Sequence, residues 1–134
     1  MRAQNIIKII VVVLNLPWSL VGVCGSILSS PKRMRVSKEP PAIIFYVRSF
    51  WWYRLLPGMK GVRAMTNGHI VQLSKSADEL DLKHELIHVA QHMRTPLIHP
   101  IFYLFETIRH GSGPKNKYEK EAYEKAGNRY FSFL

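Results

Sequence analysis

His84-Glu85-Leu86-Ile87-His88 is the stretch of this chain whose residue types and spacing suit chemistry. Four residues of α-helix turn by about 400°, so side chains at i and i+4 stand about 40° apart, one turn above the other. Two imidazoles placed that way can bind one metal ion. Glu85 projects about 100° from His84, beside the ion rather than on it. A carboxylate there can take a proton from metal-bound water and pass it to a leaving group. Such a pentapeptide also arises by chance, so its surroundings decide its weight. On a helical wheel Leu82, Leu86, Val89, Ala90 and Met93 form one apolar stripe. His84, His88 and Gln91 form another stripe, with Glu85 and His92 next to it. The helix therefore has a core face without its histidines; the bland alternative is a solvated polar face.

A catalytic zinc takes three protein ligands and keeps one position open. Arg94 occupies the place where a metzincin would carry its third histidine, and His92 stands too far along the helix to close the same tetrahedron. A second helix is expected over residues 117–130, starting at Asn116, with Tyr118, Ala122, Tyr123, Ala126 and Tyr130 as its apolar face. Glu119 falls inside that face; Glu121 and Glu124 fall outside it. A carboxylate within a packed face is costly unless paired or bound to metal. Glu119 is the expected third ligand and Glu121 the alternative; the reading without metal pairs Glu119 with a nearby Lys or Arg.

These residues need a scaffold. Ser76-Ala77-Asp78-Glu79 has the form of a capping box, so the first helix is predicted to follow it and to end near Met93, before Thr95-Pro96. Upstream, residues 42–47 (AIIFYV) read as a strand, and SFWWYRLL continues the β-like stretch to the turn signal Pro57-Gly58; its Phe50, Trp51, Trp52 and Tyr53 read as core, with an interfacial belt as the alternative. Asn67-Gly68 between strands at 62–66 and 69–74 predicts a hairpin with a type I′ turn, in which His69 opens the second strand. The strand around Ile70 to Leu73 is expected to offer an edge to an extended substrate. Residues 97–108 form an apolar run, predicted as a helix packed on the core or lying on a membrane surface. His99 and His110 have no evident partners and read as structural.

Residues 6–28 carry Lys8 as their only charge and match the roughly 20 residues needed to span a hydrocarbon core. Asn15 and Pro17 interrupt them. An uncleaved transmembrane or re-entrant helix is expected; a cleaved signal peptide and a buried helix are the alternatives. Cys24 follows Val23, where a lipobox would carry a small residue, and reads as a small hydrophobe. Lys32, Arg33, Arg35 and Lys38 outnumber Arg2 and Lys8, which places the C-terminal domain in the cytoplasm. The same cluster suits anionic lipid head groups. Pro31, Pro40 and Pro41 suggest a linker. The expected division is an anchor at 1–30, a basic linker at 31–41 and a domain at 42–134.

The 134 residues make one domain, with a net charge of +10 that favours an anionic partner. The basic residues are scattered and match no nucleic-acid-binding motif. A single cysteine excludes an intrachain disulfide.

HELIHVAQ followed by NKYEKEAY resembles the HExxH…ExxA arrangement of gluzincin-type zincins. The chain is also similar to a group of small, uncharacterised bacterial proteins with an LPW-type apolar segment, an RAMTxGH-like hairpin, HExxHxxQ and a final NxxExxA. Here those are Leu16-Pro17-Trp18, Arg63 to His69, His84 to Gln91, and Asn116 to Ala122. The resemblance implies an α+β fold with a minimal zincin core at the bacterial inner membrane. It also implies zinc on His84, His88 and Glu119, and Glu85 as general acid/base. Glu121 stays in play because it directly precedes Ala122, as the ligand glutamate precedes an alanine in thermolysin. The chain is shorter than typical zincin peptidases. Two functions are expected from these features: a metallopeptidase acting on a peptide or membrane-proximal substrate, or a non-catalytic membrane protein that zinc holds together, its fourth position filled by His92 or His69.

Overall fold

In the computed structural model, which describes residues 2–55, 62–111, 113 and 115–127, the chain is α+β. The elements are α1 (Ala3–Leu14), α2 (Leu16–Leu28), β1 (Pro31–Lys38), β2 (Pro41–Val47), a 3-10 turn at Trp51–Leu55, β3 (Ala64–Asn67), β4 (Ile70–Leu73), α3 (Glu79–Arg94), α4 (His99–His110) and α5 (Lys117–Ala126). The strands form one mixed sheet in the order β1-β2-β4-β3. β2 and β4 run parallel, and the outer pairs are antiparallel.

Alternation along β4 assigns the two sheet faces. Val71 and Leu73 join Ala42, Ile44, Leu82 and Val89 in the core between the sheet and α3. Ile70 and Gln72 point the other way. Gly22 of α2 lies against Ile70, and Gln72 Nε2 donates to Gly22 O at 3.4 Å. The sheet is thus sandwiched between α2 and α3.

The N-terminal apolar run is two helices bent by 61°, not one. Pro17, in the first turn of α2, has no N–H to continue the α1 ladder. No single described helix is long and apolar enough to cross a membrane, although α1 and α2 together have that length and composition. Asn15 at the bend is fully buried. Its Nδ2 donates to His69 Nε2 at 3.1 Å and to His92 O at 3.2 Å, and its Oδ1 accepts from Leu97 N at 2.9 Å. The α2 stripe of Ser19, Gly22, Gly25 and Ser26 is buried.

Residues 31–41 are not a linker. Pro31–Lys38 is β1, paired with β2 along its length. A proline at the first position needs no ladder hydrogen bond, and an edge strand tolerates Lys and Arg in water. The aromatic run is a 3-10 turn rather than a strand. Its indoles are drawn to the end of α2: Trp51 Nε1 donates to Leu28 O at 2.9 Å and Trp52 Nε1 to Ser29 Oγ at 2.8 Å. The expected turn at Pro57-Gly58 lies outside the described residues.

The hairpin forms, with its turn one residue later than expected. Asn67 pairs with Ile70, leaving Gly68 and His69 as the loop. Gly68 alone has positive φ (59°), as a type II′ turn requires of its first loop residue. Close packing adds to the demand for glycine, because a Cβ there would lie 2.5 Å from Ser19 Oγ. The α3 cap is also shifted. Asp78 Oδ1 accepts from Asp81 N at 2.9 Å and Asp81 Oδ2 from Asp78 N at 3.0 Å, while Ser76 bonds Ser74 instead. The same reciprocal chemistry operates two residues downstream of Ser76, where both partners are aspartates.

Candidate metal centre

α3 and α5 pack side by side, which brings the HExxH residues against the first turn of α5. That turn is positioned by Asn116, whose Oδ1 accepts from Tyr118 N and Glu119 N and whose Nδ2 donates to Thr107 Oγ1 and Gly111 O. Asn116 is fully buried, so the start of α5 is tied to the end of α4.

Glu119 consequently faces both histidines. His84 Nε2 lies 3.1 Å from Glu119 Oε2, His88 Nε2 lies 3.2 Å from Glu119 Oε1, and the two Nε2 atoms are 3.1 Å apart. All three residues are buried. Ligands bound tetrahedrally at about 2.0–2.1 Å are about 3.3–3.4 Å from one another, so these donors need only spread slightly to take an ion between them. The group can hold a metal ion.

The histidine tautomer agrees. Gln91 Nε2 donates to Tyr118 O at 2.9 Å and to Glu121 Oε1 at 2.8 Å, both of which only accept. Gln91 Oε1 must therefore accept from His88 Nδ1, at 2.8 Å. Protonated His88 donates from Nε2 to Glu119; on losing that proton it keeps the one on Nδ1 and leaves the Nε2 lone pair free for a metal ion. Burial pulls the His88 pKa down, but Glu119 outweighs burial and raises it to about 9. Burial pushes the Glu119 pKa up, and the bonds from His84 and His88 hold it well below the carboxylate range. The site attracts positive charge, as a proton or as a metal cation.

Glu85 is buried beside this group. Thr66 Oγ1 donates to Glu85 Oε2 at 2.5 Å, and the Glu85 charge acts on both His88 and Tyr103. Tyr103 of α4 donates from Oη to Glu119 Oε1 at 2.6 Å. Its own pKa is raised by burial first and by Glu119 next.

Searches against protein-family models, curated proteins and solved structures find no match to this chain.

The other candidates have different duties. Glu121 accepts from Arg94 and Gln91 and pairs with Lys125 Nζ at 3.1 Å, so cations occupy it outside the site. The Arg94 hydrogen bond chiefly lowers its pKa, to about 2. His69 uses both ring nitrogens, donating from Nδ1 to Pro41 O at 2.7 Å and accepting from Asn15 on Nε2. His92 meets His99 edge-on at 4.6 Å between ring centroids. Neither His69 nor His92 belongs to the three-residue group. His99 is buried, whereas His110 is exposed and lies 3.9 Å from Glu106. The expected substrate edge is corrected as well. β4 lies between β2 and β3, and β3, which carries Thr66, is the outer strand.

Sequence reasoning assigned no role to Gln91, Thr66 or Tyr103. Gln91 was readable, since it stands three residues after His88 on the same helical face. Thr66 and Tyr103 reach the site only through tertiary packing and left no local signal.

Proposed function

We propose that this protein is a zinc-dependent hydrolase of the peptidase type, with His84, His88 and Glu119 as ligands and Glu85 as general acid/base. The observation that carries the reading is the convergence of two imidazole nitrogens and one carboxylate, 3.1–3.2 Å apart, beside a buried second carboxylate. Two nitrogens and one oxygen suit zinc. A zinc ion there supplies Lewis acidity and lowers the pKa of water to near neutrality.

The chain's own groups do the rest. Gln91 holds His88 in the tautomer that presents Nε2. Thr66 holds one Glu85 oxygen, and the other oxygen accepts a proton from the attacking water and returns it to the leaving amine. Tyr103 steadies Glu119 from α4. The outer edge of β3, beside Glu85, suits an extended peptide that adds as a strand. The resemblance of HELIHVAQ and NKYEKEAY to the HExxH…ExxA motifs of gluzincins points the same way.

The burial of all three ligands also favours a second reading, in which zinc only staples α3 to α5. One experiment separates the two. The full chain is loaded with zinc and assayed on a fluorogenic peptide library beside Glu85→Gln. Cleavage abolished by Glu85→Gln at unchanged zinc content supports the hydrolase. Zinc-dependent stability with no cleavage by either protein supports the staple, and absence of zinc binding overturns both.

A further inference from the structure

Two helix faces on the surface are apolar over their whole length. On α1, Ile7, Ile10 and Val13 are exposed; on α4, Leu104, Phe105 and Ile108 are 58%, 61% and 71% exposed. The two faces meet at one joint. Leu97 N donates to Asn15 Oδ1 at the α1–α2 bend, and Leu97 O accepts from Trp18 Nε1 at 2.6 Å. Leu14, Leu16, Leu97 and Ile98 are exposed around that joint, and Leu20 and Val21 continue the surface along α2. Monomeric soluble proteins seldom expose so continuous an apolar area.

Cations border it. The groove between α4 and α5 has Phe102, Phe105 and Tyr118 in its lining together with Arg109, Lys117 and Glu106. On α1, Lys8 pairs with Glu39 just beyond β1, whose exposed Lys38 lies on the α2 face of the sheet, while Arg33 and Arg35 lie on the opposite face against Tyr46 and Glu79. An apolar surface edged with Lys and Arg complements a negatively charged lipid surface. A second copy of a chain with net charge +10 would instead meet like charge.

We propose that the outer surfaces of α1, α2 and α4 dock in the plane of an anionic bilayer without crossing it. α1 and α2 are bent by 61°. The inner face of α2 is covered by the sheet, and Asn15 is buried among polar partners rather than lipid. The helices thus have one side for protein and one for lipid, the arrangement of an interfacial segment. α4 joins this surface to the metal centre: Leu104 and Phe105 face outward, while Tyr103 turns inward to Glu119. The centre stands about one helix diameter, roughly 10–12 Å, behind the docked face. Docking does not depend on the centre being catalytic.

The test uses the full chain, diluted from detergent onto vesicles of phosphatidylcholine alone or with phosphatidylglycerol, and followed by flotation. Partition to the anionic vesicles is expected, weakened by salt and reduced at least about tenfold in the double variant Leu104→Ser/Ile108→Ser. Zinc content, read separately, stays unchanged in that variant. Nitroxides at Ile10→Cys and Phe105→Cys, in a Cys24→Ser background, are expected at shallow depth in both helices. A probe at the bilayer centre on α1 overturns in-plane docking. Equal partition to both vesicle types overturns the anionic preference, and lipid-free dimers that do not float overturn the bilayer as partner.

Discussion

Glu119 Oε2 sits 3.1 Å from His84 Nε2 across 35 residues of sequence. Glu121, on the same helix, pairs with Arg94 and Lys125 instead. The two glutamates therefore part company in a metal titration. Glu119→Ala and His88→Ala are expected to lose bound zinc or weaken it by about 100-fold or more, whereas Glu121→Ala keeps it. Metal analysis after gel filtration measures this; loss of zinc in Glu121→Ala with retention in Glu119→Ala would reverse the ligand assignment.

Glu85→Gln preserves the shape of the side chain and the Thr66 contact but cannot accept the proton. Its zinc content is expected to match wild type, while peptide hydrolysis falls by about 100-fold or more. A variant with full activity would remove Glu85 from the chemistry.

Tyr103→Phe deletes the 2.6 Å hydrogen bond to Glu119 and keeps the ring. A charge-assisted bond of this kind contributes about 1.5–3 kcal/mol. Zinc affinity is expected to drop by about tenfold as Glu119 loses its anchor. Calorimetric titration with zinc reads the change, and an unaltered affinity would confine Tyr103 to packing.

Asn15 and Gly22 test whether the N-terminal helices are part of the fold. Asn15→Ala removes three bonds in a fully buried position, and leaving such groups unpaired costs about 1–3 kcal/mol each. Gly22→Ala places a Cβ 2.7 Å from Ile70 Cβ, an overpacking that costs about 1–3 kcal/mol. Both variants are expected to melt well below wild type. Normal melting of either would mean that the domain does not need α2.

Acid should destabilise the protein through two histidines. Burial lowers His92 to about 3 and His99 to about 4, both from an ordinary 6.5. His88, His69 and His99 face His92; His88, Arg94 and Glu121 act on His99, with Tyr103 and Tyr118 against its ring. Above pH 6.5 these two rings are neutral in both states and their contribution is full. As pH falls from 6.5 toward 4 the unfolded chain takes up protons that the folded one refuses, at about 1.4 kcal/mol per pH unit for each histidine. Denaturant unfolding of the zinc-free protein between pH 6.5 and 4.5 (about two units) is expected to show this slope, and His99→Phe to reduce it. A slope unchanged in His99→Phe would exonerate that ring.

Much of the candidate site was legible in the chain. The i, i+4 histidines, the adjacent glutamate and an acidic residue inside the apolar face of a later helix are local, periodic features. So were the hairpin at Gly68 and the α+β alternation, because turn chemistry and burial period act over a few residues. Capping was legible in kind but misplaced, since Ser76 and Asp78 compete for the same role within three positions.

What the residues alone determined, then, is the donor set: two imidazoles on one helical face and a carboxylate that no packed helix leaves unpaired. Tertiary structure decided the rest. The same apolar run that reads as a membrane helix becomes a bent pair, because the Asn15 side chain finds its partners on the hairpin, on α3 and at Leu97. Basic residues that read as a linker become an edge strand once β2 supplies hydrogen bonds. Thr66 and Tyr103 join the site from elements remote in the chain. Such partners are set by packing between distant segments, and a hydrogen bond between them has no period in the sequence to announce it.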